Sequence, residues 1–201
     1  MPRDYVAELL ELMERYSFTR GDFTLSSGKK SSFYYDGKTI TQDPRGSFLI
    51  GHIVFGLVHA VRAEAVGGLA IGSNAISLAV AYTSELIGHP IPTFYVREQP
   101  KTHGTKQLIY ASRSMDERPV ISRGRRVAIV DDVMTTGASI DRAIREVERE
   151  GCEVVLVVTL VDRSDPEADF IRRNYNFVPL FSADADGRVD VNRLVPASAA
   201  V

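Results

Sequence analysis

The chain has little that would define it by composition. It holds a single cysteine, Cys152, so no internal disulfide can form; Val154 to Val158 beside it suggest a thiol buried in a strand rather than a nucleophile. No apolar stretch reaches the roughly 20 residues of a membrane span, and Met-Pro-Arg-Asp-Tyr at the start lacks the apolar core of a secretory leader. A cytoplasmic location is the expectation. Charge of one sign is also missing: 24 basic against 26 acidic residues leave a formal −2, which argues against broad nucleic-acid binding. Neither GxGxxG nor GxxxxGK[ST] occurs, so the dinucleotide fingerprint and the Walker loop are both unsupported. No internal repeat, low-complexity tract or domain linker is visible. With 201 residues, 44% hydrophobic and 25% charged, the chain fits a single α/β domain over 1–201 with a sizeable core.

What is present centres on residues 127–140. Val127, Ala128, Ile129 and Val130 form a short apolar run suited to a strand buried on both faces of a parallel sheet. Asp131 and Asp132 end it, followed by Val133, Met134, Thr135, Thr136, Gly137, Ala138 and Ser139. Ile140, Ala143, Ile144 and Val147 then recur at helical spacing, placing a helix start near Ala138. A helix amino end offers unpaired N–H groups and partial positive charge, and Thr135, Thr136 and Ser139 add hydroxyls. That combination suits a phosphate monoester, with Gly137 allowing close approach. Two acids before such a loop would repel bare phosphate, but they can accept hydrogen bonds from two ribose hydroxyls and draw in substrate-bound Mg²⁺. The implied ligand is a ribose 5-phosphate. The plainer reading makes the acids a helix cap and the hydroxyls turn residues.

Helical periodicity marks Val6, Leu9, Leu10 and Met13, then Phe48, Ile50, Ile53, Val54, Leu57 and Val61 after Pro44. Strands are expected at 65–70, 91–96, 127–131 and 153–161, with helices between them, the first near 75–87. The βαβ rhythm predicts a doubly wound, mostly parallel sheet flanked by helices, with ligands beyond the strands' carboxyl ends. Residues 183–201 read as a loosely held tail.

The 127–140 segment resembles the 5-phosphoribosyl 1-diphosphate (PRPP) signature of type I phosphoribosyltransferases. Two further segments are similar to the orotate branch. Arg97-Glu98-Gln-Pro-Lys101-Thr-His103-Gly104 resembles its catalytic loop and reads as a mobile segment, and Gly21 to Asp36, with Tyr34 and Tyr35, resembles its hood. The resemblance covers about residues 17–165. It implies a small hood (about 1–40, with a C-terminal segment) on a core of about 45–165, and a homodimer whose 97–110 loop reaches the neighbouring site. The reaction it implies is transfer from Mg-PRPP to orotate, giving orotidine 5′-phosphate and diphosphate. Mg²⁺ would be held mainly by PRPP, near Asp131 and Asp132.

The catalytic residues so implied are Lys101, His103, Asp131 and Asp132. PRPP would also meet Arg97, Ile71, Gly72, Val133, Met134, Thr135, Thr136, Gly137, Ala138 and Ser139, and orotate would meet Tyr34, Tyr35, Thr135 and Arg163. Arg163 follows a strand and can bind a carboxylate bidentately, or pair with Asp162 or Asp165 at the surface. Phe33, Tyr34 and Tyr35 can equally form a half-buried strand. Three departures stand out: Glu98 where a Lys commonly follows the loop Arg, Ser26 where some members carry Lys, and Asn74-Ala75 where Asp-Pro is more usual in the segment 67–75. Glu98 and Ser26 remove positive charge. Transfer to another base, or PRPP binding without turnover by a regulator, are the alternatives.

Overall fold

The computed structural model describes residues 4–24, 30–99, 108–111, 118–184, 188–192 and 195, with backbone alone at 31 and 32. Asp4 caps the first helix, α1 (Tyr5–Tyr16), by accepting from the Val6 and Ala7 N–H groups at 3.1 and 3.0 Å. Its buried stripe is Val6, Leu9 and Met13, as their spacing predicts. β1 (Phe18–Thr24) and β2 (Lys30–Tyr35) form a separate antiparallel ribbon in which Phe18 faces Tyr35 and Arg20 faces Phe33. Strand alternation buries Phe33 and Tyr35 and leaves Tyr34 outside. The short α2 (Lys38–Thr41) leads into α3 (Pro44–Ala60), which opens with Asp43 as N-cap and Pro44 in its first turn. Ile50, Ile53 and Val54 of α3 are buried, whereas Phe48 is 40% exposed and Val61 is the C-cap.

The remaining elements alternate: β3 (Ala65–Leu69), α4 (Gly72–Ile87), β4 (Thr93–Val96), β5 (Ile109–Ala111), β6 (Arg126–Met134), α5 (Ala138–Arg149), β7 (Glu153–Asp162), a single 3₁₀ turn at Pro166–Ala168, α6 (Asp169–Asn174), β8 (Phe177–Ala183) and β9 (Val189–Val191). The sheet order is β5-β4-β3-β6-β7-β8-β9, with the five inner strands parallel and both edge strands antiparallel. From β3 the chain winds first to β4, then returns to β6 and continues the other way. The point of reversal therefore lies between β3 and β6, where a crevice opens at their carboxyl ends.

Burial follows strand periodicity. Ala128 and Val130 of β6 join the core beneath α1, α3 and the hood, and Val127 and Ile129 join Ile140, Ala143, Ile144 and Val147 of α5. All four apolar residues of the β6 run are fully buried.

Several boundaries differ from expectation. β6 does not stop at the acids: β7 carries it on, pairing Val133 with Val161 and Met134 with Asp162. α4 begins three residues before Ala75, because Ser73 turns its hydroxyl onto the Leu69 carbonyl at 2.8 Å. β4 starts at Thr93 rather than Ile91, whose N–H goes to Ser84 Oγ at 2.9 Å. The expected loose tail is partly structured: β9 extends the sheet from β8, and Val195 is buried in the core. Nothing in residues 177–183 marks β8 by alternation.

The carboxyl end of β7 is tied to α6 by Arg172. Its Nε and Nη2 donate to Asp162 Oδ2 and Oδ1 at 2.9 and 2.7 Å, and its Nη1 reaches the Asp165 carbonyl at 2.9 Å and Asp169 at 2.8 Å. Asp162 is buried, so removing its partner strands a charge. Arg172→Ala should lower unfolding free energy by about 3 kcal/mol, the low end for breaking a buried pair. A urea titration checks this; a change under about 1 kcal/mol would mean that solvent already screens the pair.

Candidate functional site

Two loops meet at the reversal point. After β3, Ala70 and Ile71, joined by a cis peptide, lead into Gly72 at the start of α4, which has no side-chain cap. After β6, Thr135 and Thr136 lead to Gly137 at φ +79°, a left-handed conformation that glycine adopts without steric cost. Gly137 is the N-cap of α5, and no side chain caps this helix either. Its first intrahelical bond is Asp141 N–H to the Gly137 carbonyl at 2.8 Å. The preceding N–H groups of Ala138 to Ile140 thus face outward with the positive end of the helix dipole. Thr135 and Thr136 are half-buried there and Ser139 is exposed. A pocket of about 240 Å³ lies at this end, lined by Thr136, Gly137, Ala138 and Arg145 among others.

Between the loops sit the acids. Asp131 is 6% exposed and accepts from the Asp132 N–H at 3.0 Å, while Asp132 accepts from the Val133 N–H at 2.9 Å. Gly72 presses on both: a Cβ there would clash with the Asp131 carboxylate and lie 2.8 Å from Asp132 Oδ1. A Cβ on Gly37, from the hood side, would lie 2.9 Å from Asp132 Oδ2. Burial raises the Asp131 carboxyl well above the ordinary range, and the Asp132 charge adds to it. Asp132 is raised as well, chiefly by burial, against which backbone donors and the Lys38 ammonium act. Such crowded negative charge suits a partner with hydroxyl donors and a cation. Among the described residues no three His, Cys, Asp or Glu side chains gather as a metal-ligand set. The hard oxygen donors of Asp131 and Asp132 are of the kind that Mg²⁺ accepts.

A cavity of about 620 Å³ adjoins the acids, lined by Lys38, Ala70, Ile71, Gly72, Arg97, Glu98, Gln99 and Asp132. It brings together Ile71, Gly72, Arg97 and Asp132, four of the residues named from sequence. Arg97 is held over the stacked rings of Tyr95 and Tyr110, 5.6 and 5.4 Å from their centroids. Glu98 is exposed on the cavity wall, and its carbonyl accepts from Arg142 of α5. Lys101, His103, Gly104 and Ser26 lie outside the described residues.

The base-binding expectations divide. Arg163 lies with its guanidinium 4.3 Å above the Phe33 ring, bringing the end of β7 against the hood. Burial lowers its basicity and Asp165 partly offsets this. Asp162, one of its expected surface partners, is held by Arg172 instead. Tyr34 is 45% exposed and can present a ring face. Tyr35 is buried in the core, with its hydroxyl unpartnered among the described residues and its phenol pushed up by burial and by Asp132. Its ring is therefore core rather than an open platform. Met134, named for PRPP, has its side chain in the core, and its carbonyl accepts from the Arg163 N–H at 3.0 Å. Val133 packs partly against the core.

Lys38 and Gly37 were missed from sequence. Their one available signal is position, directly after the hood strand and Asp36.

The chain is similar to known proteins in both sequence and fold. The phosphoribosyl transferase domain family matches residues 36–182, and the chain belongs to that family. Its membership can be drawn more finely. It is 40% identical over 163 residues to the orotate phosphoribosyltransferase of Bradyrhizobium diazoefficiens, covering 81% of this chain and 85% of that one. The crystal structure of Mycobacterium tuberculosis orotate phosphoribosyltransferase with Fe(III) dicitrate superposes with a TM-score of 0.71 at 36% identity, covering 86% of this chain and 94% of that one. The same enzyme in complex with PRPP gives 0.67 at 34% identity, with the same coverage. Within the family, the chain falls among the orotate phosphoribosyltransferases.

The raised carboxyls give a stability prediction of definite sign. A carboxyl that binds its proton more tightly when folded than unfolded penalises folding once the pH passes the unfolded value of about 4. The penalty grows until the folded value is passed and persists above it. Asp131→Asn keeps an oxygen for the Asp132 N–H and removes the charge. The variant should therefore melt higher than wild type at pH 8, at roughly 2–4 °C per kcal/mol regained in a chain of this size. The gap should close as the pH falls towards 4, and thermal melts across that range check it. A lower melting temperature at pH 8 would mean that Asp131 ionised is a net support of the fold.

Proposed function

We propose that this chain transfers the 5-phosphoribosyl group of Mg-PRPP to orotate, releasing diphosphate and orotidine 5′-phosphate in pyrimidine nucleotide synthesis, as one phosphoribosyltransferase domain over 1–201. The observation that carries this reading is the placement of the acid pair between two uncapped helix starts, with Arg163 brought to the hood at Phe33. Asp131 and Asp132 accept hydrogen bonds from the ribose hydroxyls. Thr135 to Ser139 and the first N–H groups of α5 hold the 5′-phosphate. Ile71, Gly72 and Arg97 face the diphosphate, and Arg163 takes the orotate carboxylate in its planar fork.

The pyrimidine nitrogen gives up its proton to solvent and forms its bond to the anomeric carbon as the bond to diphosphate breaks, and the pair of electrons of that bond leaves with diphosphate. Positive charge accumulates on the ribosyl group in passing, and the acid pair lies where it can stabilise that charge. Mg²⁺, when bound, neutralises charge on the departing diphosphate. Lys101 and His103, through the loop that begins at Arg97, provide further donors to the leaving group and keep water from the ribosyl centre.

We further place this enzyme in the cytoplasm as a homodimer. No helix among the described residues is long and apolar enough to cross a membrane. Leu78, Tyr82 and Leu86 stand in a row on α4, each more than 60% exposed, beside a cavity of about 610 Å³ shared with Phe48 and His52 of α3. An exposed apolar row of that size suits burial against a second copy. Its helix starts at the diphosphate loop, so the loop of a second copy could reach the site.

Glu98 favours a second reading, PRPP binding without turnover, because it puts negative charge into the cavity. Loss of orotate absorbance on adding Mg-PRPP, run beside adenine, uracil and xanthine, distinguishes them. Turnover with orotate alone supports the transferase, and PRPP binding without turnover sinks it.

Two substitutions refine the roles. Lys101→Ala should keep the fold and slow turnover by about 10²–10³, the usual cost of one preorganised donor; wild-type turnover would remove Lys101 from the mechanism. Arg163→Ala should raise the KM for orotate by about tenfold or more and leave that for PRPP nearly unchanged, as expected for losing a charged hydrogen bond to one substrate. Equal effects on both constants would move the carboxylate contact elsewhere.

A further inference from the structure

The hood sends one cation into the site that the roles above leave unused. Lys38 starts α2 within a firmly tied turn. Its N–H donates to Asp36 Oδ1 at 3.1 Å, and Thr39 Oγ1 donates to the Asp36 carbonyl at 2.8 Å while lying 2.7 Å from Ser17 Oγ. The neighbouring Gly37 is wedged against Asp132. The backbone is thus fixed, whereas the Lys38 side chain is exposed and makes no ion pair among the described residues. It lines the cavity of about 620 Å³ together with Ile71, Gly72, Arg97, Glu98 and Asp132.

The charges of that lining do not favour a polyanion without Lys38. Among the described residues of that lining Glu98 and Asp132 are acidic, and Arg97 is the one cation besides Lys38. Helix starts locate the two phosphate groups of the substrate. The α5 end, at Thr135 to Ser139, suits the 5′-phosphate, and the α4 end, at Ile71 and Gly72, suits the diphosphate. Lys38 shares its cavity with the α4 end.

We propose that Lys38 is a substrate-binding residue for the diphosphate of PRPP, supplying from the hood the positive charge that Glu98 withholds on the loop side. The inference rests on the phosphoribosyltransferase reading and adds a residue to it. Lys38 also acts on Asp132, favouring its ionised form and so keeping it an acceptor for ribose hydroxyls. A flexible ammonium with three donors suits a diphosphate whose oxygens redistribute charge as the bond to ribose breaks.

The test is titration of wild type, Lys38→Gln and Lys38→Arg with Mg-PRPP, with Mg-diphosphate and with orotidine 5′-phosphate, which lacks the diphosphate. Lys38→Gln should weaken PRPP and diphosphate roughly ten- to hundredfold, as for loss of a charged hydrogen bond. Orotidine 5′-phosphate should weaken far less than PRPP, since it meets Lys38 only through Asp132, and Lys38→Arg should keep most of the affinity. Adding Glu98→Lys to Lys38→Gln should recover part of the loss, more at low salt than at high salt. Equal weakening of orotidine 5′-phosphate, or no weakening of PRPP, overturns the proposal. Unchanged unfolding by urea in Lys38→Gln separates lost binding from lost fold. Failure of the wild type to bind PRPP overturns the phosphoribosyltransferase reading and this inference with it, whereas normal PRPP binding by Lys38→Gln overturns this inference alone.

Discussion

Two adjacent carboxylates towards the carboxyl end of the central strand, Asp131 buried and Asp132 half-buried, are the constraint around which the rest is arranged. Asp131 is almost wholly enclosed, and its neighbour raises the cost of ionising it further. A fold accepts such a pair only where other groups satisfy it. Here the backbone supplies donors from Asp132 and Val133, and two glycines bring the backbone within contact from opposite sides. Gly72 comes from the start of α4 and Gly37 from the hood. The acids therefore join three parts of the chain that are far apart in sequence, and the remaining imbalance of charge is what a ribosyl substrate with its cation can relieve.

The hood follows from the same economy of contact. Phe18, Phe33 and Tyr35 form its aromatic inner face and belong to the main core with α1 and α3. Its ribbon is thereby fixed above the crevice, with Tyr34 outward and Phe33 beneath Arg163. Asp162 is held by Arg172, which also holds the turn leading to α6.

Much of the core was legible from residue order, since it rests on local periodicity. The apolar run at Val127 to Val130, the i, i+3, i+4 stripe of α5 and the periodic apolar positions of α3 after Pro44 each describe one element and need no partner. The strand-loop-helix at 131–140 was legible for the same reason: acids, hydroxyls and glycine lie within a few residues of each other. What escaped was pairing. β6 runs past its acids because β7 lies beside it, β9 exists because β8 offers an edge, and Tyr35 and Met134 face inward because of the register of their strands.

The chain order alone thus specified a parallel α/β sheet and the run of acids, hydroxyls and glycine that leads into α5, because those properties reside in contiguous residues. The choice among side chains depended on the folded arrangement. Lys38 and Arg97 are 59 positions apart and share one cavity, and Asp162 selects Arg172 over its own neighbour Arg163. Such outcomes depend on which surfaces the sheet and hood bring within a few ångströms, where charge and hydrogen bonding act, and separation along the chain carries no record of that distance.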